Sequence, residues 1–534
     1  MAKRFAMIFF ITIGIVLGCV SLFAVVLFMA PGFSIFGIKY IAKGTHVVSE
    51  SCIIAEKMDG GNFSGSIRVE VDDVPVHVVF SSRFGYRVEY YDNYNGLTNS
   101  NFDDPSIKYE KDADGTAVIK ITSFKKFVFE NPNSTRYVKL LIPSSVVGGT
   151  NAGNTNLKIV SKTSPVQFYD EVNDNYDPVF KNIEIETYGK ITSSTKVTAE
   201  TYKLKTINTI NISDSQVETI NANNYVLEST GGRICVSRDV AGDITATTKN
   251  ARIQILSCNN FIANSGYGDI YSASADKGIV VNGSANIATT AGKVEIDSIL
   301  GTLSKSIINT KTGNVNIKKA MDVEVITTRG FVNIVSTRNS SVTTSSGSIT
   351  IEEVTDRIIA KSRRGKVLLG GEGNILYNPT VETTFGEVDI KSASGAVRVD
   401  TIDADVNFTN TDASDIAMNI GGNLTATNLV GLVDIEVSGT ANLDFFQFTQ
   451  RTSVVGTSSA SSIIVRMLNN EASSFSYNLQ GNDASLFEYN VEDTSNHFQI
   501  ERAQSIISAP EMVGKPLLAV SSKGRVMVYY KRSV

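Results

Sequence analysis

Between residues 232 and 435 the chain repeats one pattern: a small or hydroxyl-rich lead-in, a turn residue, then apolar residues two and four positions later. Clear copies are TTAGKVEI, TKTGNVNI, TTRGFVNI, TSSGSITI, SRRGKVLL, TTFGEVDI, SASGAVRV and LVGLVDI. The turn position falls at residues 232, 251, 268, 292, 313, 330, 347, 365, 386, 395, 414 and 431, and it is Gly at all but Ala251 and Ser414. The second position beyond it is always Ile or Val, from Ile234 to Val433, and the fourth is apolar at every copy except Ser272. Between them lie residues of no constant type, among them Gln254, Tyr271, Glu295, Asn316, Asn333 and Asp389. Alternation with period two and one β-branched face predicts a half-buried strand.

One short strand cannot fill the interval between successive turns. A second, weaker strand stands in many intervals, as in DVEVITT, SSVTTSS, DRIIAKS and PTVETT. The short step from Gly386 to Gly395, and Gly242 soon after Gly232, read as half coils. Each interval is therefore one coil of a solenoid, with Val stacked on Val and Ile on Ile. Burying one such side chain contributes roughly 1.5–3 kcal/mol, which hardly offsets the ordering of a lone coil, so stability must come from the stack. Gly at the corner is expected to permit the backbone angles of a tight bend.

The opening SGSIRVEVDDVPVHVVF, with Val69, Val71 and Asp73 in a V-x-V-x-D pattern, and then the repeated TxxGxVxI units resemble the bacterial membrane-anchored putative-adhesin family with β-strand repeats. The resemblance covers roughly residues 60–440. It implies a right-handed β-solenoid and a surface role, and it carries no catalytic residue across. LLAVSSKGRVMVYY repeats the signature once more at Gly524, Val526 and Val528. Open solenoid ends recruit other strands, so both are expected to be capped.

Ahead of the repeats, Phe5 to Ala30 is uncharged and spans about 39 Å as a helix, enough to cross a bilayer core of about 30 Å. A buried helix of a soluble domain is the plain alternative. A cleaved signal peptide fits poorly, and a lipobox ending at Cys19 is followed by residues too apolar for a tether. Lys3 and Arg4 abut the segment on one side, while Lys39 and Lys43 lie well beyond the other, which places the N-terminus inside.

The expected organisation is a cytoplasmic tail (1–4), a transmembrane helix (5–30), a juxtamembrane linker (31–50), an N-terminal β cap with first coils (51–150), the solenoid (151–440) and C-terminal coils with a cap (441–534). The fold class is all-β, and the location is the cell membrane, single-pass, with the C-terminal bulk outside the cytoplasm.

Composition narrows the function. Charged residues make up 19 % and the net charge is −5, so no nucleic acid is expected as partner. The cysteines, Cys19, Cys52, Cys235 and Cys258, form no CxxC pair, and the register argues against a Cys235–Cys258 disulfide. His46, His77 and His497 have no ligand-spaced companions, and no HExxH, GxSxG or Walker A motif occurs. No catalytic, cofactor-binding or metal-ligating residue is assigned. The rival class, a carbohydrate-active β-helix enzyme, needs converging carboxylates. Its candidates are Asp400, Asp403, Asp405, Asp412 and Asp415 beside Arg398, against the plain reading that outward positions are polar because they face water. A third class is a solenoid scaffold of the cell envelope. The expectation is a surface protein that binds without catalysis, its partners being membrane lipid through the helix and a glycan or protein ligand on the solenoid face. No feature of the sequence sets an oligomeric state.

Overall fold

The computed structural model describes residues 2–29, 34–35, 38–52, 65–72, 74–82, 86–99, 106–113, 116–122, 126–130, 135–149, 152–170, 177–213, 220–445, 450–467, 475–482, 485–490, 506–508 and 515–531. The chain forms two compact units, Met1–Gly232 and Arg233–Val534.

The first unit begins with a helix, Ala2–Met29. None of its apolar window Arg4–Val26 is buried, and Phe5, Leu22 and Phe10 stand among the most exposed side chains of the chain. A soluble core helix buries such a face, so the plain alternative does not hold. Beyond it, Ile38–Cys52, Tyr86–Asn99 and Thr135–Pro143 run antiparallel. Pairing then turns parallel, from Thr135–Pro143 to Val76–Ser81, Val166–Asp170 and Ile191–Ser193. A second sheet starts from the antiparallel hairpin Ser106–Lys111/Ala117–Thr122. It continues in parallel through Ser66–Val71, Asn156–Ser161, Val179–Thr187, Val197–Thr206 and Ile220–Ser229. Antiparallel strands thus stand at the start of two parallel ladders.

The second unit is built from two long parallel ladders. In the first, Ile253 stacks on Ile270, then Val294, Val315, Val332, Ile349, Val367 and Val388. In the second, Ala263 stacks on Ile287, Ile308, Val325, Val342, Ala360, Val381 and Val399. These side chains are at most 3 % exposed, so a dry core runs between the ladders. The chain closes with Ser476–Gln480, which pairs parallel to Leu517–Ser522 and antiparallel to Ile506–Ser508. Val526 follows Ile463 in the first ladder, in line with the terminal copy of the signature.

One feature of the repeat differs from the sequence reading. The signature copies do not form a single column. Val388 stacks on Val406, whereas Val397 stacks on Ile416, which stacks on Val433. A single strand, Val388–Thr401, feeds the first ladder with its start and the second with its end. The half coil at Gly386–Gly395 is where the pattern passes from one sheet to the other, and both sheets accept it because both face the same core.

The corner glycines also act differently from expectation. Gly292, Gly313, Gly330, Gly347 and Gly365 do not have positive φ. A Cβ on each would stand 1.9 Å from the carbonyl oxygen of the preceding corner glycine, so glycine is required by close approach. Only the copies in the second ladder, Gly395 (φ 74) and Gly431 (φ 88), meet the conformational expectation. The hydroxyl three residues before the corner is buried and accepts a hydrogen bond from the glycine N–H. Thr289 does so for Gly292 (3.0 Å), Thr310 for Gly313 (2.9 Å), Thr327 for Gly330 (3.0 Å) and Thr344 for Gly347 (2.9 Å). The TxxG lead-in is a ladder of side chains satisfying corner amides that the stack has removed from water.

Candidate functional site

Strand alternation fixes what the first ladder shows to solvent. Gln254 is the register partner of Tyr271, and Glu295, Asn316 and Asn333 follow on the next coils; all but Tyr271, which Ser272 follows, stand between two buried aliphatics. After Ile270 the strand ends at Ser272, the one copy with a polar residue at the inward position, and the chain leaves the ladder. Residues 272–278 then rise beside the outward row and form one wall of a groove of about 540 Å³. Gly278 lies so close to Asp297 that a Cβ there would stand 2.2 Å from its Cβ, which holds the returning chain against the coil.

The groove carries amide and charged groups, and its charges are partly neutralised. Lys318 Nζ is 2.7 Å from Asp297 Oδ1, and Lys293 pairs with Glu295. Tyr271 Oη accepts a hydrogen bond from Arg252 (2.9 Å), which fixes the ring at the groove. Gln254 Oε1 is buried and has no protein partner. Amides offering donors and acceptors, one ring and one unsatisfied carbonyl suit a ligand rich in hydroxyl or amide groups.

No family model matches the chain, and no curated protein matches it. One solved structure is similar. It is described as a putative cell adhesion protein from Clostridium sporogenes, and the match is 12 % identical, covers 45 % of this chain and 98 % of that one, and has a TM-score of 0.20. At that identity and score the similarity carries no argument about this chain.

The carboxylates singled out in the sequence do not gather at one point. Arg398 pairs with Asp415 across one coil (2.5 Å), and Asp400 Oδ1 accepts from Asn419 Nδ2 (3.1 Å). Asp405 Oδ1 accepts from the backbone N–H (2.7 Å) and the side-chain amide (3.0 Å) of Asn423. Asp403 is exposed in the corner turn, and Asp412 lies opposite Ser394 along Val406–Ile420. Arg398 and Asp400 do reach a second groove of about 410 Å³, with Glu382, Asp434 and Glu436. Glu382 there is held by Lys361 (2.7 Å). Phe408, the lone aromatic of the segment, is buried at 2 % exposure and offers no platform.

His77 stacks on Tyr137 (centroids 4.5 Å apart), which stacks on Tyr91 (4.9 Å). Burial, and then the Lys139 ammonium, hold His77 below the ordinary histidine range. His46 lies on the strand Ile38–Cys52, and His497 lies outside the described residues. Among the described residues no group of three His, Cys, Asp or Glu is placed to hold a metal ion. Cys235 and Cys258 are buried free thiols, and Cys19 is exposed on the helix.

Proposed function

We propose that this chain is a membrane-anchored surface protein whose β-solenoid presents a polar face for ligand binding without turnover. The observation that carries this reading is the contrast between faces. Inward positions are held nearly uniform, whereas the outward row Gln254, Tyr271, Glu295, Asn316 and Asn333 varies in chemistry and converges on the groove walled by residues 272–278. A constant core beneath a variable long face is how solenoids build recognition surfaces. Asp400, Asp405 and Asp415 are held by different coil-to-coil partners and do not converge as a pair on one point, which supports binding over catalysis. Affinity per groove is modest, since a Trp-free polar face lacks large aromatic anchors, and attachment gains from many copies on one membrane.

The bare apolar helix supports retention as an anchor, and Arg4 at its start supports an inside N-terminus. Protease treatment of intact cells or spheroplasts, probing a C-terminal tag, tests this topology. Loss of the tag without lysis is expected, and a tag destroyed only after lysis reverses the orientation. For the groove, the full chain in nanodiscs is applied to a glycan and matrix-protein array. The reading expects a retained ligand whose signal falls in a Gln254→Ala/Asn316→Ala/Asn333→Ala variant. An array signal that the triple variant leaves unchanged places binding elsewhere.

A further inference from the structure

The corner that precedes the first ladder carries a second surface, independent of the groove. The two residues between each buried hydroxyl and its corner glycine stack coil on coil through backbone bonds. Arg329 N–H reaches Lys311 O (3.0 Å), Ser346 N–H reaches Thr328 O (2.9 Å), Arg364 N–H reaches Ser345 O (3.0 Å) and Phe385 N–H reaches Arg363 O (2.9 Å). This register lines up Lys311, Arg329, Arg363 and Arg364 along one exposed ridge. The three coil steps from Lys311 to Arg363 span about 14 Å at roughly 4.8 Å per strand spacing.

Among the described residues none of the four forms an ion pair. Their charged neighbours are already matched: Lys366 with Glu387 (3.1 Å), Lys361 with Glu382 (2.7 Å), and Lys293 with Glu295. Other positions of the file carry hydroxyls, with Thr290 one coil before Lys311, Thr312 and Thr328 beside the cations and Ser345 and Ser346 on the coil between them, and the first acid in the file is Asp403, beyond Phe385. A chain of net charge −5 therefore concentrates four unmatched cations in a line one residue or two wide, interspersed with hydroxyls.

We propose that this ridge binds a linear anionic polysaccharide, its carboxylate or sulfate groups lying over Lys311, Arg329, Arg363 and Arg364 and its hydroxyls over the Thr and Ser positions. Several features favour that partner. A file of cations fits a linear chain better than a planar lipid surface, which pairs best with a broad basic face. Single-stranded nucleic acid needs a ring for successive bases, and among the described residues the exposed aromatics beside the file, Tyr267, Phe331 and Phe385, each stand three coils from the next. Arg also presents a planar fork that matches carboxylate and sulfate oxygens in pairs.

The test uses the full chain in nanodiscs and polygalacturonate as probe, with neutral dextran, single-stranded DNA and phosphatidylglycerol vesicles as comparators. Polygalacturonate is expected to bind, with affinity falling as salt rises, and dextran is not. Arg329→Ala/Arg363→Ala/Arg364→Ala should weaken binding about tenfold and flatten the salt dependence, because three charge contacts are lost. The Lys-substituted triple variant should keep most of the affinity, and Lys319→Ala/Arg357→Ala, which removes two exposed cations from another bend, should keep all of it. The groove variant should bind polygalacturonate as the parent does, which separates this site from the groove. The proposal is overturned if the Ala triple variant binds as the parent does, or if the Lys319/Arg357 control loses as much. It is equally overturned if DNA or vesicles bind more tightly than polygalacturonate with the same dependence on Arg329, Arg363 and Arg364.

Discussion

Gly330 sits so close beneath Gly313 that a β-carbon on Gly330 would stand 1.9 Å from the Gly313 carbonyl oxygen. The obstacle is the backbone of the next coil, which cannot rotate aside as a long side chain does. Gly330→Ala should therefore cost about 1–3 kcal/mol by overpacking, although alanine relieves the unfolded chain of some entropy. Thr327→Val should cost a similar amount for another reason, since it leaves the buried Gly330 N–H without its acceptor at 3.0 Å. Denaturant unfolding of both variants checks this, and a Gly330→Ala protein as stable as its parent would show that the corner can spread.

Val332 is 1 % exposed between Val315 and Ile349, and Asn333 beside it faces the groove. Val332→Asp buries a carboxylate with no cation at hand and should cost several kcal/mol. Asn333→Asp stays in water and should change stability by less than about 0.5 kcal/mol. Equal losses of melting temperature would contradict the register of the first ladder.

Burial, and then the Asp243 carboxylate, push the Cys258 thiol up to about 12. At pH 8.5 the folded protein should leave Cys258 unalkylated while unfolded chain reacts, as peptide mapping after iodoacetamide treatment would report. The native state holds this proton more tightly than the unfolded state. The associated stability is thus fully present below the unfolded thiol value and is lost as pH rises from there towards about 12. Rapid native alkylation of Cys258 would mean that this part of the core opens readily.

Much of this was legible because the repeat writes each coil's inward face in the same two letters. Val294, Val315 and Val332 announce a stacked strand, and the tripling of that signal over successive intervals excludes a helix. The passage of the signature from one ladder to the other was not legible, because Val388 and Val397 look alike and only three-dimensional register tells which sheet each joins. Nor was the reason for Gly313 and Gly330, since a close approach between coils leaves the same letter as a positive φ at Gly395. The groove depends on where residues 272–278 return, and Ser272, breaking the inward pattern, was its one sequence signal. The basic ridge draws Lys311, Arg329 and Arg363 from separate coils, so it emerges only once the corners are stacked. Asp400, Asp405 and Asp415 look like a cluster along the chain, but the coils send them to different partners.

The central claim is that the folded chain holds a ligand and returns it unchanged. Its most direct test incubates the full chain in nanodiscs with neutral and acidic polysaccharides while reducing ends and unsaturated uronate absorbance are followed. Retention of a polysaccharide with neither signal rising is the predicted result. Sustained product formation that Asp403→Asn or Asp405→Asn abolishes would contradict the account and make the protein an enzyme.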